Sequence, residues 1–560
     1  MATTNSIPDN IKAFVYYKQE INSNALIYWL ENFSINSKLS KKDLIELYNV
    51  LLFSAAHPFN ISIYRASIKA IEKLNMAFKT FSEEYKSRFI NTGLPYTEIQ
   101  GTFSLLLTNW LVKQFDKDIQ IHSFDKAGKH PKEILKSQLN NLEFELMGQD
   151  NISVEDWVMN ASGKENSTEQ LIWLLNNFKS LKTEEQLKEY LFESVILYLN
   201  IKPSTTEISK AGNKLPFAKT FFHSDGIIKK FDYKKLIKKA LPKRKSLSVQ
   251  EKTAIQRTSR IALLLLNRET DPITFNNVND IHYYELERGL SIALFSMLPK
   301  NRLAIESYIG FMMYKNGYPM AYGGAWLFGK RSLIGVNIFE SFRGGESSYV
   351  FSQLLRTYHK AFGATYFEVE PYQFGKGNPE GIKSGAFWFY HRFGFRPIDE
   401  KLNKIAEKEY QRIVSEPGYR TPEKTLKEFT KSNLSVNLVG TNSSSFSPNT
   451  ISNYISDKIN SEFNGNRNKA LKSAASYIKK KLNIKLNENS LVRNQGFKKL
   501  GLLYFFCIDI NLLPNEKQKI LIELIHSKDK NEFNYINALH TISFKKILHQ
   551  DFINYSKEIS

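Results

Sequence analysis

One ordered run of local signals constrains this chain more than anything else in it, the stretch Leu333 to Asp399. It opens with a strand-like segment, Leu333 to Glu340, reading LIGVNIFE. A turn containing Gly344 and Gly345 follows. Ser348 to Ala361 then places Val350, Phe351, Leu354, Leu355 and Tyr358 on one helical face, and Gly363 is set to stop the helix. A second strand-like segment, Thr365 to Glu370, is closed by Pro371. A loop rich in Gly and Asn leads to a short aromatic helix, Ser384 to Phe393, and a last extended piece. Strand, glycine turn, helix, strand, helix, strand is the order of a mixed α/β unit.

The first half of this run suits an anion. A glycine turn lets backbone N–H groups approach a ligand, and the helix after it directs its free N–H groups and positive dipole end to the same place. By itself a Gly-Gly pair is also a plain strand-to-helix connection. The second half adds Tyr390-His391-Arg392-Phe393-Gly394-Phe395, with Ala386 four residues before the tyrosine. Together these elements resemble the GNAT superfamily of acetyl-CoA-dependent N-acetyltransferases. That family has a central strand, an Arg/Gln-x-x-Gly-x-Gly/Ala pyrophosphate loop, a helix, a splayed strand, and a helix ending in Tyr-x-x-x-Gly-Phe. The resemblance covers about 95 residues, Ile305 to Asp399. An opening strand and helices are expected between Asp271 and Asn301.

Three departures stand out. Arg343 fits the first loop position, but Glu346 and Ser348 stand where the family has small residues, and the glycines come one place early. A carboxylate there must point away from a pyrophosphate, for instance to cap its own helix. The family's Asn falls on Lys383, with Asn378 five residues upstream, so Tyr372 to Lys383 reads as an insertion.

The resemblance implies an acyltransferase moving an acetyl or acyl group from acetyl-CoA, a co-substrate, to an amine by direct transfer in a ternary complex. Acetyl-CoA would lie between the two strands. Its binding residues would be Ile338, Phe339, Arg343, Gly344, Gly345, Glu346, Ser347, Ser348 and Asn378. Tyr390 would be the acid that returns a proton to the leaving thiolate. Glu340 would accept the amine proton, directly or through water. The same residues have plainer roles, Tyr390 as a packed aromatic and Glu340 as a solvated strand end. The other reading is therefore a degenerate GNAT-like, non-catalytic binding module in a basic helical scaffold associated with nucleic acid. The amine acceptor is not legible.

Composition frames this unit. At 560 residues the chain exceeds what one core supports. The fold class expected is α+β within an α-rich multidomain chain, a GNAT-like mixed α/β domain flanked by helical N- and C-terminal regions. The expected divisions are 1–215 helical, 216–269 a basic helical connector, 270–400 the acyltransferase-like domain, 401–449 a helix and Ser/Asn-rich linker, and 450–560 a C-terminal helical domain. Before the central strand, Glu306 to Tyr314 and Tyr318 to Phe328 flank Asn316-Gly317, a hairpin signal, with Gly323-Gly324 expected to mark a bulge. Helices over Ile281 to Leu298 are expected to cover the acceptor side. Leu26–Phe33 and Leu171–Phe178 share five of eight residues, suggesting two copies of a helical hairpin.

The net charge of +21 admits weak nucleic-acid binding and suits a polyanion such as coenzyme A. Lys229 to Lys245 has nine basic residues against Asp232, with aromatics interleaved, and reads as an amphipathic helix. A second basic helix is expected at Lys469 to Lys485. The single cysteine, Cys507, lies in an apolar run and excludes disulfide scaffolds and cysteine metal sites. No secretory leader or apolar run of membrane-spanning length is visible, so a cytoplasmic location is expected. P-loop, His-x-x-x-His and Gly-x-Ser-x-Gly patterns do not occur.

Overall fold

The computed structural model describes residues 22–33, 35, 39–125, 131–136, 138–147, 152–228, 230–344, 346–439, 448–541 and 546–559. The N-terminal region begins with helices. Ser40 caps Lys41–Ala56 by accepting from the Asp43 N–H, and Asn60 caps Ile61–Thr80 by accepting from the Ile63 N–H. The region is not all helical, as expected for 1–215, because it also holds a three-stranded antiparallel sheet. Its strands are β1 Ile99–Thr102, β2 Ile119–Phe124 and β3 Leu197–Ile201, with β3 in the middle. At four to six residues each, their alternation is too short to stand out beside long helices. The two similar stretches are each a helix followed by a second helix, Ser23–Asn32 with Lys41–Ala56 and Ser167–Ser180 with Glu185–Ser194, but they pack in different cores. Leu26 and Leu30 belong to the main core, whereas Leu171, Leu174 and Leu175 belong to a separate core under the small sheet.

The basic connector also departs from expectation. Within the basic stretch Lys229 to Lys245, expected to be one amphipathic helix, only Tyr233–Lys238 is helical among the described residues, capped by Asp232. Beyond it the chain turns away, as Leu241 before Pro242 disfavours helix. The buried Arg356 guanidinium instead donates to the Lys239 and Ala240 carbonyls. Val249–Leu264 follows as a helix with a full capping box between Ser248 and Glu251.

The central unit is an eight-stranded sheet. β4 Asn276–Glu285, β5 Leu290–Met297, β6 Ser307–Lys315, β7 Tyr318–Phe328 and β8 Arg331–Ile338 form an antiparallel meander. β9 Tyr366–Val369 then pairs parallel with β8. β10 Arg396–Pro397 and β11 Leu434–Asn437 complete the order β10-β11-β9-β8-β7-β6-β5-β4. Two expectations change here. Ile281 to Leu298 forms β4 and β5, not helices: β5 is buried at every residue, so it reads as a continuous apolar run without alternation. Arg288 and Gly289, both at positive φ, make its hairpin turn. Ser432 to Asn449 is no mere linker, since Leu434–Asn437 inserts between β9 and β10 and carries the sheet past residue 400.

The Asn316-Gly317 hairpin forms as expected, with φ of 47° and 84°. Its bulge lies at the Met313/Tyr314 step rather than at the glycines. Gly323 serves close packing, because a Cβ there would come within 2.1 Å of the Gly335 carbonyl oxygen. The C-terminal helices dock on the same sheet. Buried Lys528 donates to the Glu306 carbonyl at 2.9 Å, and the Tyr535 hydroxyl donates to the Ile305 carbonyl at 2.7 Å. The basic helix Arg467–Leu482 is present, burying Ala470, Ala474, Ala475 and Ile478, and Cys507 is fully buried. No helix among the described residues is long and apolar enough to cross a membrane.

Candidate functional site

Two strands that begin together and then part create the site. β8 and β9 pair only at Arg331–Tyr366, Ser332–Phe367 and Leu333–Glu368, while β8 stays paired to β7 as far as Ile338. The closed end is clamped. The Arg331 guanidinium grips both Glu368 carboxylate oxygens, at 2.8 and 2.9 Å, and reaches Glu306 at 3.2 Å. Beyond Leu333, main-chain groups of β8 face a widening gap. Two are taken by side chains: the Val336 N–H donates to Gln373 Oε1 at 3.2 Å, and the Ile338 carbonyl accepts from Arg343 Nε at 3.0 Å. Gln373 comes from a single-turn helix, Pro371–Phe374, just after β9.

Past the fork the chain makes a short turn, Glu340–Phe342, and starts the helix Ser347–Phe362. The described part of the turn bonds largely to itself. Arg343 N–H donates to the Glu340 carbonyl, Gly344 N–H to Ser347 Oγ, and Ser347 N–H to the Gly344 carbonyl. Gly344 has φ 95°, which glycine alone adopts easily. Gly345 lies outside the described residues. The Ser348 and Tyr349 N–H groups lie in the first turn, where a helix supplies no acceptor of its own, and among the described residues no side chain caps this helix.

Glu346 points away from the turn's open side, as its charge requires, but does not cap its helix. Its carboxylate is buried against Lys315 Nζ at 2.8 Å and His57 Nε2 at 3.1 Å, with Arg288 at 4.0 Å. Burial pushes the carboxyl up, but the Lys315 ammonium and the His57 hydrogen bond override it and hold Glu346 well below the usual carboxylate range. The residue therefore anchors the turn from beneath.

A cavity of about 580 Å³ opens at the end of β8. Ile338, Phe339, Glu340, Arg343 and Asn378 all line it. Lys210 and Arg268 also reach it, contributed by segments far upstream. Burial lowers the Lys210 ammonium pKa, and the Glu340 charge opposes that shift. Arg343 is paired with Glu380, leaving its guanidinium at the mouth. Asn378 caps the Pro379–Lys383 helix by accepting from the Gly381 N–H, and donates to the Tyr372 carbonyl at 3.1 Å.

Tyr390 lies elsewhere. It belongs to the helix Ala386–Arg392 and packs edge-on against Phe351, with its hydroxyl donating to Gln373 Oε1 at 3.2 Å. Burial pushes its phenol up, so it stays protonated at neutral pH. His391, beside it, faces Glu407 instead.

The residues proposed from sequence thus fall into three places. Ile338, Phe339, Glu340, Arg343 and Asn378 meet at the cavity; Gly344, Ser347 and Ser348 form the turn; Glu346 and Tyr390 are buried on either side. Sequence reading missed Gln373, Lys210, Arg268, Lys315 and His57. None carried a local signal of its own; Gln373 fell within Tyr372 to Lys383, which the sequence reads as an insertion. Among the described residues no group of three or more His, Cys, Asp or Glu side chains is suited to a metal. No family model, curated protein or solved structure matches this chain.

Proposed function

We propose that the central unit is an N-acetyltransferase-type acyltransferase, taking an acetyl or acyl group from acetyl-CoA to an amine. The observation that carries this is the fork between β8 and β9, which opens toward an uncapped helix start on one side and a cavity containing Glu340 on the other. Acetyl-CoA supplies the thioester. The β8 main chain offers an extended ligand a row of polar groups, and the Ser348 and Tyr349 N–H groups with Arg343 offer its phosphates donors. Glu340 takes the proton lost by the amine as nitrogen bonds to the acyl carbon. As the carbon–sulfur bond breaks, the thiolate needs a proton, and Tyr390 holds one throughout the neutral range. Positioning both reactants supplies much of the rate.

Calorimetric titration of the full chain with acetyl-CoA tests the binding half. Incubating cell extract with labelled acetyl-CoA, then finding labelled amines by mass spectrometry, tests the transfer half. A second reading, a non-catalytic binding module, is favoured by one group of contacts: Gln373 across the fork, Arg343 paired with Glu380, and a turn whose N–H groups bond internally. No acetyl-CoA binding by the wild-type chain would support it.

A further inference from the structure

The gap between β8 and β9 is bridged by one side chain that meets the chemistry from both sides. Gln373 Oε1 accepts from the Val336 N–H at 3.2 Å and from the Tyr390 hydroxyl at 3.2 Å. The residue opposite is Gly335, and a Cβ built there would come within 3.2 Å of Gln373 Nε2. The missing side chain lets the amide lie flat against the strand. The turn carrying Gln373 is held at its start by Gln373 N–H donating to the Glu370 carbonyl, and is followed by Gly375 and Gly377, both at positive φ. Rotation about the Gln373 side-chain bonds alone would break both hydrogen bonds.

A parted strand leaves backbone donors that need acceptors. Here the acceptor is an amide carbonyl on a flexible stem, and the pantetheine arm of acetyl-CoA carries amide carbonyls on an extended chain. We propose that Gln373 is a displaceable latch, a positioning residue that occupies the Val336 N–H and the Tyr390 hydroxyl until an amide-bearing acyl carrier takes its place. The proposal rests on the acyltransferase reading above. It ties the release of the Tyr390 hydroxyl from Gln373 to the arrival of an amide-bearing carrier.

Two substitutions with opposite expected signs test it. Gln373→Ala removes the competing acceptor and should tighten acetyl-CoA binding by roughly 3- to 10-fold, the scale of one or two neutral hydrogen bonds. Gln373→Glu keeps the shape, accepts more strongly as a carboxylate, and should weaken binding by about tenfold at neutral pH. Hydrogen exchange at the Val336 amide adds a readout that needs no ligand: it should quicken in Gln373→Ala and slow again with acetyl-CoA. A merely structural glutamine would weaken binding in both variants, and that result overturns the latch. Unchanged Val336 exchange in Gln373→Ala overturns it as well. If the wild type binds no acetyl-CoA, the acyltransferase reading fails separately, and the exchange comparison still decides whether Gln373 covers β8.

Discussion

The Lys315 ammonium donates to the Glu346 carboxylate at 2.8 Å, joining the last residue of β6 to the residue before the Ser347–Phe362 helix, and neither side chain is more than 5 % exposed. Lys315→Met leaves that carboxylate buried with its main charge partner gone. The expected cost is about 3–5 kcal/mol, read as a lower urea midpoint at pH 7. The Lys315→Met, Glu346→Gln double variant should recover part of it.

The same carboxyl sets a pH dependence. Its folded pKa is depressed, so its stabilisation is present above the unfolded value, about 4.3, and disappears as pH falls through the folded value. Glu287 behaves alike. Burial pushes it up, but hydrogen bonds from Lys239, Arg356 and Gln353 outweigh that and hold it down to about 2. Wild-type stability should therefore decline between about pH 4.3 and 2, and Glu287→Gln should decline less steeply over that window in urea melts taken at a series of pH values.

Glu340 and Tyr390 should separate from binding. Glu340→Gln should slow transfer by roughly 10²-fold or more, within the range for losing a general base, with the acetyl-CoA dissociation constant nearly unchanged. Tyr390→Phe should slow it on the order of 10–10³-fold. Single-turnover kinetics beside calorimetry resolve the two effects. A Tyr390→Phe chain that turns over at the wild-type rate would assign the proton to water or another group.

Gly344→Val should weaken acetyl-CoA binding without unfolding the sheet. The residue sits at φ 95° in an exposed turn, so a branched side chain distorts the turn beside the helix start. The checks are the dissociation constant and an unchanged far-ultraviolet circular dichroism spectrum.

Nucleic acid should bind weakly and without sequence preference. Lys479, Lys480 and Lys481 close the Arg467–Leu482 helix and are the kind of charge that releases counterions from phosphates. Retention on duplex DNA should fall steeply between 50 and 200 mM salt, a range typical of such contacts. Tight, selective retention at the upper end would assign the chain a different principal role.

Local pattern carried the fork and little of what surrounds it. LIGVNIFE, the Asn316-Gly317 turn and the amphipathic face of Ser347–Phe362 were each legible because a strand, hairpin or helix writes its period into neighbouring residues. β5 was not, because burial on both faces erases alternation. β11 was not, because four residues among Ser and Asn carry too little pattern. The site divides in the same way. Glu340 and Arg343 follow directly from the strand's end. Lys210 and Arg268 reach the cavity from 130 and 72 residues before Glu340, and nothing local marks that convergence. Gln373 appeared only as part of an insertion, since its meaning depends on a gap that exists only once β8 and β9 are paired.

The position of β11 has a consequence for how the chain can be made. β10 comes earlier in sequence than β11 yet lies outside it, pairing through Arg396–Ser435 and Pro397–Leu434. On a ribosome, β9 has no neighbour on that side until residues 434–437 have emerged, and β10 has nothing to dock on. An unpaired β9 is an open strand edge, the kind of surface that recruits other chains. A nascent or truncated protein ending near residue 400 should therefore associate with itself more readily than one ending after Asn437, both of them lacking the C-terminal helices. The outermost strand waits for the last one to be synthesised, so the sheet is finished out of sequence order.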